Sequence, residues 1–154
     1  MLLLFFQNAY IQSPCFRIKM IEIKFVENWP EDELVKLYKA GGWWKDNYDK
    51  SHIKNLIKGS FAFAVVIDNK KNQTIGMGRI LSDGISDAYI QDLVILPEYR
   101  NKGIGKQLVE KLLGYCRSKN IKWIALIAEP EQDEFYSKIG FKPMKKYIPM
   151  KYEE

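Results

Sequence analysis

The spacing of hydrophobic residues predicts a strand followed by two helices in the first part of the chain. Hydrophobic residues alternate with charged ones over residues 21–25, which is the two-residue period of a strand. Pro30, followed by three acidic residues, is typical of a helix start. The glycines at 41 and 42 predict the end of that helix. A second helix is predicted over about Asp49 to Lys58.

Three further stretches predict strands that are joined by short polar turns. They run from Phe61 to Ile67, from Thr74 to Leu81 and from Ala88 to Leu96. The residues between them are mainly Asp, Asn, Ser and Gly, which favour turns. Short turns between successive strands predict an antiparallel meander.

From residue 104 onward the apolar residues follow the period of a helix. They recur on one face from Ile104 to Cys116, and an apolar strand from Trp123 to Ala128 follows. A strand, a helix and a further strand predict a right-handed parallel crossover. A short helix over about Glu131 to Ile139 and a last strand from Tyr147 to Tyr152 complete the prediction.

Together these elements predict an α+β fold, with a mixed, mostly antiparallel sheet, a central βαβ crossover and flanking helices. We assign residues 20–154 to a single domain, a length that buries enough apolar surface to fold alone. Residues 1–19 are assigned to an N-terminal extension of uncertain role. Its apolar start lacks the features of a secretory signal and the length of a membrane span. A weak membrane or partner anchor is the alternative interpretation.

Charge and composition limit the classes of partner that this chain is expected to bind. The 154 residues include 24 Lys and Arg against 19 Asp and Glu, which gives a formal net charge of +5. This balance favours anionic partners, but the basic residues are dispersed, so we expect neither a nucleic-acid partner nor a membrane partner. Two cysteines and one histidine are too few for a disulfide framework or a metal site. Cys116 is interpreted as a buried free thiol.

The most informative segment lies between a predicted strand and a predicted helix and reads Arg100, Asn101, Lys102, Gly103, Ile104, Gly105, Lys106. Glycines let the backbone approach a ligand closely, and a helix start offers unpaired N–H groups. These features predict a phosphate site. The segment lacks the Ser or Thr of a Walker A loop and the third small residue of a Rossmann fingerprint. A plain strand-to-helix turn is the alternative.

Two segments carry a family resemblance. The stretch from Asp92 to Gly105 resembles the central motif of GNAT (GCN5-related N-acetyltransferase) proteins, with Arg-x-x-Gly-x-Gly after a strand that ends in proline. The stretch from Phe135 to Phe141 resembles the C-terminal motif of that family. The order of elements from Met20 onward is also similar. The resemblance implies a GNAT-like fold and an N-acetyltransferase that moves acetyl from acetyl-CoA to a primary amine by direct attack in a ternary complex.

The resemblance also implies where acetyl-CoA binds. The strand before the glycine loop should separate from the next parallel strand, so that the pantetheine arm pairs with exposed backbone. The pyrophosphate should lie on the amides of the loop. These expectations assign cofactor binding to Leu93, Val94, Ile95, Arg100, Asn101, Lys102, Gly103, Ile104, Gly105 and Lys106.

Family likeness places Tyr136 as the group that protonates the departing thiolate; aromatic packing is the alternative. An ammonium acceptor must first lose a proton. Asp92, in an otherwise apolar strand, is our first candidate for the base and Glu129 is the second. Asp92 could instead be a surface carboxylate paired with a lysine, and Glu129 could complement a helix start. Trp43 and Trp44 could form a cation–π wall or pack in the core.

The sequence leaves the acceptor open between a small-molecule amine and a peptide amine. We expect a cytoplasmic enzyme without a metal, and a homodimer is compatible with the sequence. The alternative functions are a CoA-binding regulatory module without turnover and, less favoured, a nucleic-acid-binding domain.

Overall fold

The computed structural model describes residues 20–153, so the predicted extension at residues 1–19 lies outside the described residues. Within them the strands are β1 (Ile21–Phe25), β2 (Ala62–Asp68), β3 (Gln73–Ser82), β4 (Asp87–Ile95) and β5 (Trp123–Ala125). The helices are α1 (Glu31–Ala40), α2 (His52–Lys58), α3 (Ile104–Ser118) and α4 (Asp133–Ser137). A short 3-10 turn, Pro97–Tyr99, follows β4.

The strands form one sheet in the order β1-β2-β3-β4-β5. The first four pair antiparallel, and β5 pairs parallel to β4 after the chain has crossed over through α3. The antiparallel meander, the parallel crossover and the α+β fold class are therefore confirmed.

Both faces of the sheet are covered, which explains the uninterrupted apolar run in β2. Its even-numbered residues, Ala62, Ala64 and Val66, belong to the core that includes α3. Its odd-numbered residues, such as Phe63 and Val65, belong to a second core under α1 and α2. A strand that is buried on both faces needs apolar residues at every position, so it shows no alternation.

A β-bulge interrupts β4 at the position where the site begins. The register with β3 shifts by one residue between Met77 and Arg79, and Asp92 has a φ of 52°. The extra residue changes which positions face α3: Ile90 does so before the bulge, and Ile95 does so after it. Gly78 lies on β3 opposite the bulge, where an added Cβ would lie 3.2 Å from Leu93 Cδ1. A side chain at position 78 would therefore press on Leu112 and Leu93 beside the bulge.

The predicted boundaries of helices and strands differ from the structure mainly toward the C-terminus. The strand predicted from Trp123 to Ala128 ends at Ala125, and the helix predicted from Glu131 to Ile139 covers Asp133–Ser137. The last strand, predicted from Tyr147 to Tyr152, is wrong, since residues 141–153 form neither helix nor strand. The physical reason is that a strand requires a neighbouring strand edge, and this segment lies along none in the structure.

Candidate active site

The site is a cleft that opens where β4 and β5 separate. The two strands pair only from Asp87 with Trp123 to Tyr89 with Ala125, and β4 continues to Ile95 without β5 beside it. The predicted divergence of these strands is therefore present. The cleft has a volume of about 770 Å³. Its walls come from β4, the glycine loop, α4 and the connector after α1, and include Trp43, Asp92, Leu93, Val94, Ile95, Arg100, Asn101, Gly103, Gly105, Lys106, Glu129, Gln132, Phe135 and Tyr136.

The glycine loop ends at one side of this cleft in an uncapped helix start. Gly103 precedes α3 with a φ of 76°, and within residues 20–153 no side chain caps the helix. The amide of Gln107 donates to the carbonyl of Gly103 at 3.1 Å. The amides of the first turn, residues 104–106, have no intrahelical acceptor and carry the positive end of the helix dipole. This geometry forms an anion site beside the cleft.

The basic residues of the loop differ in their surroundings. Arg100 Nε donates to the carbonyl of Ile95 at 2.9 Å, which fixes the guanidinium at the end of β4. Lys106 lines the cleft, 3.8 Å from Glu110 on the next turn of α3. Lys102 Nζ donates instead to the carbonyl of Glu98 at 2.8 Å and lies off the cleft. We therefore expect Arg100 and Lys106 to contribute more to anion binding than Lys102.

Ile104 also differs from the other predicted cofactor residues. Its side chain is buried in the core with α3 and does not line the cleft. Its contribution to the anion site is thus limited to its backbone N–H. The assignments of Lys102 and Ile104 to cofactor binding stay predictions.

Tyr136 lies half-buried in the wall of the cleft. Its ring packs against Phe135 at 4.9 Å and Phe141 at 5.8 Å between centroids. Burial, and then the negative charge of Glu129, raise the pKa of Tyr136 above its ordinary value. The hydroxyl makes no hydrogen bond to any of residues 20–153. The phenol is therefore protonated at neutral pH and can donate to a group that enters the cleft.

Asp92 is held by two donors on neighbouring elements. Arg79 Nε lies 2.6 Å from Asp92 Oδ2, and the hydroxyl of Tyr38 donates to the same oxygen at 2.8 Å. Burial, followed by the charge of Asp92 and its hydrogen bond, keeps the pKa of Tyr38 far above its ordinary value. The alternative interpretation of Asp92 gave it a lysine partner, but its charged partner in the structure is an arginine. The arrangement leaves Oδ1 available for a donor in the cleft.

The tryptophans of the α1–α2 connector have different roles. Both pack against Tyr38, at 6.2 Å for Trp43 and 6.4 Å for Trp44 between ring centroids, but Trp43 lines the cleft and Trp44 packs instead against Tyr48 at 5.7 Å. Of these two tryptophans, Trp43 is therefore the one that a ligand can reach from the cleft. Gln132, exposed before α4, also reaches the cleft.

Sequence reasoning missed three contributors to this site. Tyr38, Arg79 and Gln132 were not assigned a role in the site. A charged residue inside the apolar run of β3 was a usable signal for Arg79, because a charge in such a strand needs a partner. No sequence signal pointed to Tyr38 or Gln132.

Three further predictions from the sequence concern metal ligands, membrane spans and Cys116. Among residues 20–153, no group of three His, Cys, Asp or Glu side chains is placed to hold a metal ion. No helix in the same range is long and apolar enough to cross a membrane. Cys116 is a buried free thiol, as predicted, and burial raises its pKa. A protonated, buried thiol is a poor nucleophile.

Comparison with known proteins identifies related sequences. A family model described as the acetyltransferase (GNAT) domain matches residues 32–151. An uncharacterized N-acetyltransferase, ycf52, of Gracilaria tenuistipitata var. liui is 35% identical over 111 residues, which cover 71% of this chain and 60% of that protein. The chloroplastic GCN5-related N-acetyltransferase 2 of Arabidopsis thaliana is 36% identical over 118 residues, covering 73% and 45%. The chain thus spans about half the length of these relatives.

A solved structure shows the same architecture. The GNAT family acetyltransferase from Streptococcus pneumoniae TIGR4 superposes with a TM-score of 0.75 at 26% identity. The match covers 88% of this chain and 98% of that one. The fold and the sequence thus point to the same family.

Proposed function

This chain belongs to the GNAT family of acetyltransferases, and we propose that it transfers an acetyl group from acetyl-CoA to a primary amine by direct attack in a ternary complex. The observation that supports this best is the cleft itself. An uncapped helix start lies at one side of it, and Tyr136 and two carboxylates, Asp92 and Glu129, line its walls. The helix start can bind the phosphates of a thioester cofactor, and the carboxylates can bind an amine.

The first step is the binding of acetyl-CoA. The amides of residues 104–106 receive the pyrophosphate, and Arg100 and Lys106 add positive charge. The backbone of β4 beyond Tyr89 has no partner from β5, so Leu93, Val94 and Ile95 can pair with the pantetheine arm as an added strand. A strand N–H in the same stretch can donate to the thioester oxygen as it becomes negative.

The acceptor amine is positioned by the two carboxylates that line the cleft, Asp92 and Glu129. We propose that Asp92 Oδ1 accepts a hydrogen bond from the amine, because Oδ2 is occupied by Arg79 and Tyr38. Glu129 is exposed and can pass a proton to solvent, so it is better placed than Asp92 to act as the base. This reverses the preference that the sequence alone suggested.

The chemical step then forms one bond and breaks another. The neutral amine attacks the thioester carbon and the C–N bond forms. The C–S bond breaks as the intermediate collapses, and the nitrogen gives its remaining extra proton to Glu129 or to water. The thiolate leaves beside the Tyr136 hydroxyl. A phenol titrates near 10 and a thiol near 8.5, so full proton transfer is uphill by about 2 kcal/mol before the raised pKa of Tyr136 is counted. Tyr136 therefore acts mainly as a hydrogen-bond donor to the thiolate.

Calorimetry with acetyl-CoA tests cofactor binding. We expect Gly103→Trp to abolish binding, because the new side chain would fill the open space at the helix start. Gly114→Trp is the control for added bulk, since Gly114 is exposed on α3 away from the cleft and an added Cβ there also meets nothing within 4 Å. Gly103→Asn, which suits the positive φ of 76° and adds little bulk, should retain binding. A folded wild-type protein that binds no acetyl-CoA would contradict the proposal.

Turnover is tested with a panel of amines. We expect Tyr136→Phe to lower kcat by about 10²-fold, at the low end for a positioned proton donor, while leaving the affinity for acetyl-CoA unchanged. Tyr48→Phe, an exposed hydroxyl off the cleft, should change neither. Tight binding of acetyl-CoA without turnover of any small-molecule or peptide amine would favour the alternative of a CoA-binding regulatory module.

The location of the enzyme stays a prediction. A cytoplasmic protein was expected from the sequence, but the Arabidopsis relative is named as chloroplastic. The expectation that neither nucleic acid nor membrane is a partner also stays a prediction.

A further inference from the structure

The glycine loop, residues 100–103, has a backbone conformation that must be held from outside the loop. Asn101 has a φ of 59° and Gly103 has a φ of 76°, both in the left-handed region. Such a φ costs free energy for a residue with a side chain, so it persists only where the surrounding structure fixes it. The residues at the two ends of the loop, Tyr99 and Ile104, are buried in the core with α3. The shape of the anion site therefore depends on how firmly these two residues are held.

Tyr99 is held by a specific polar contact, whereas Ile104 is held by apolar packing. The hydroxyl of Tyr99 donates to Asp68 Oδ2 at 2.8 Å, and both residues are buried. Asp68 ends β2, and Tyr99 follows β4, which lies on the other side of β3. The hydrogen bond thus crosses the end of β3 and connects the glycine loop with a strand that does not line the cleft.

Asp68 is itself fixed in the turn between β2 and β3. Its second oxygen, Oδ1, accepts hydrogen bonds from the amides of Lys70 at 2.9 Å and Lys71 at 3.3 Å. These bonds hold the carboxylate in place and leave Oδ2 for Tyr99. A turn of this kind needs only one acceptor atom, which Ser or Thr can also supply. The second oxygen of Asp68 therefore has a use beyond the turn.

Two lysines contact the ring of Tyr99, one from the β2–β3 turn and one from the loop. Lys71 Nζ lies 5.2 Å and Lys102 Nζ 5.3 Å from the ring centroid. An ammonium group at this distance from an aromatic ring is attracted to it. Lys102 also donates to the carbonyl of Glu98, so it ties the loop to the 3-10 turn before it. Tyr99 therefore joins the loop to the β2–β3 turn through both its hydroxyl and its ring.

We propose that Tyr99 is a positioning residue for acetyl-CoA, and that its bond to Asp68 holds the glycine loop in the conformation that presents the amides of residues 104–106 to the pyrophosphate. Tyr99 does not line the cleft, so it acts through the loop and not by contact with the cofactor. A loop that is held less firmly is competent for a smaller fraction of the time, and the apparent affinity falls by that fraction. The inference rests on the proposed function for the identity of the ligand.

The variant Tyr99→Phe tests the hydroxyl, because it keeps the ring that the two lysines contact. We expect Kd for acetyl-CoA to rise by about 10-fold in calorimetry, of the order of one lost hydrogen bond to a charged group. We expect kcat at saturating substrates to stay unchanged, since the bound enzyme has a competent loop. Ser82→Ala is the matched control, because it removes two hydrogen bonds at the opposite end of β3. It should change neither quantity, and a wild-type Kd in Tyr99→Phe would overturn the proposal.

A second substitution shows whether the effect passes through Asp68. Asp68→Ser keeps an acceptor for the turn amides but is too short to reach Tyr99. We expect it to weaken acetyl-CoA binding about as much as Tyr99→Phe does, and the double variant to bind no more weakly than either single variant. Two effects on Kd that multiply would refute the role of Asp68.

Hydrogen exchange of the free protein separates this inference from the proposed function. The amides of Arg100 and Gln107 are hydrogen-bonded on either side of the loop. We expect both to exchange faster in Tyr99→Phe than in wild type, and at the wild-type rate in Ser82→Ala. A wild type that binds no acetyl-CoA would contradict the proposed function. Unchanged exchange at both amides in Tyr99→Phe would instead show that Tyr99 does not position the loop.

Discussion

Tyr136 and Glu129 are linked electrostatically across the wall of the cleft. Burial contributes most to the raised pKa of Tyr136, and the charge of Glu129 adds to it. The neutral phenol, which is the donor form, therefore persists to a higher pH than in an exposed tyrosine. The proximity of Glu129 thus extends the pH range in which Tyr136 can donate.

This linkage predicts the effect of Glu129→Gln on titration. Removing the negative charge stabilises the phenolate, so the pKa of Tyr136 should fall toward its ordinary value near 10. The measurement is a pH titration of Tyr136 by ¹³C NMR at the ring carbon that bears the hydroxyl. Glu131→Gln, which neutralises a carboxylate that does not line the cleft, serves as the control. A titration midpoint that stays in place in Glu129→Gln would contradict the linkage.

The Tyr38 hydroxyl makes a second testable contribution at the residue scale. Tyr38→Phe removes one donor to Asp92 and keeps the packing of the ring. We expect the free energy of unfolding to fall by about 1.5–3 kcal/mol, as for a hydrogen bond to a charged group. We also expect KM for the amine to rise with KM for acetyl-CoA unchanged.

A double-mutant cycle shows whether this effect passes through Asp92. In an Asp92→Asn background, Tyr38→Phe should have a much smaller effect on both quantities, because the charged acceptor is gone. Steady-state kinetics and urea denaturation of the four proteins supply the data. Effects that simply add would mean that Tyr38 acts independently of Asp92.

At the scale of elements, two glycines are expected to respond oppositely to the same substitution. Gly114 lies exposed in α3 with open space around it, so Gly114→Ala should stabilise the protein by about 0.5–1 kcal/mol. Gly76 lies in β3, where an added Cβ would lie 2.8 Å from the carbonyl oxygen of Val94. Gly76→Ala should destabilise by about 1–3 kcal/mol, because the strand backbones would have to move apart.

Urea denaturation measures the free energy of unfolding of both glycine variants. The result bears on the site as well, because Gly76 pairs with Ile95 in the part of β4 that lines the cleft. A Gly76→Ala protein of undiminished stability would show that β3 and β4 tolerate a wider separation than the structure indicates.

The sequence predicted those elements whose hydrophobic pattern can be recognised within the segment itself. The run in β2 and the helical face of α3 needed no information from elsewhere in the chain. The end of β5 and the conformation of residues 147–152 did depend on other parts of the chain, because a strand forms only where another strand lies beside it. Asp92 depended on Tyr38 and Arg79, which lie 54 and 13 residues away along the chain. Its place in the site was predictable, but its partners were not.

At the scale of the whole molecule, carboxylates with lowered pKa values couple stability to acid. The hydroxyl of Tyr99 donates to Asp68 at 2.8 Å and holds the pKa of Asp68 below its usual value. The amides of Ser86 and Ile85 do the same for Asp83. The folded protein therefore binds these protons less readily than the unfolded chain. The resulting stability is present above the ordinary aspartate pKa and is lost as the pH falls through it toward the folded values.

We therefore expect the free energy of unfolding to decline between about pH 5 and pH 3, and Asp68→Asn to reduce the slope. Tyr99→Phe, which keeps the carboxylate and removes its donor, should reduce the slope as well. Urea denaturation at several pH values measures this. An unchanged slope in both variants would show that Asp68 contributes nothing to the acid sensitivity.

The bulge in β4 fixes the length of this strand. Before it, Ala88 and Ile90 face α3, and after it Ile95 does. Deleting Asp92 would remove the extra residue and leave Ala88, Ile90, Leu93 and Ile95 alternating on the face toward α3. Deleting Tyr89 would instead turn either Ala88 or Ile90 away from α3. A library of single-residue deletions should therefore lose folded protein at positions 88–90 while keeping it in the exposed turn at residues 83–86. Relatives that diverge in length would accordingly differ in that turn or at the bulge.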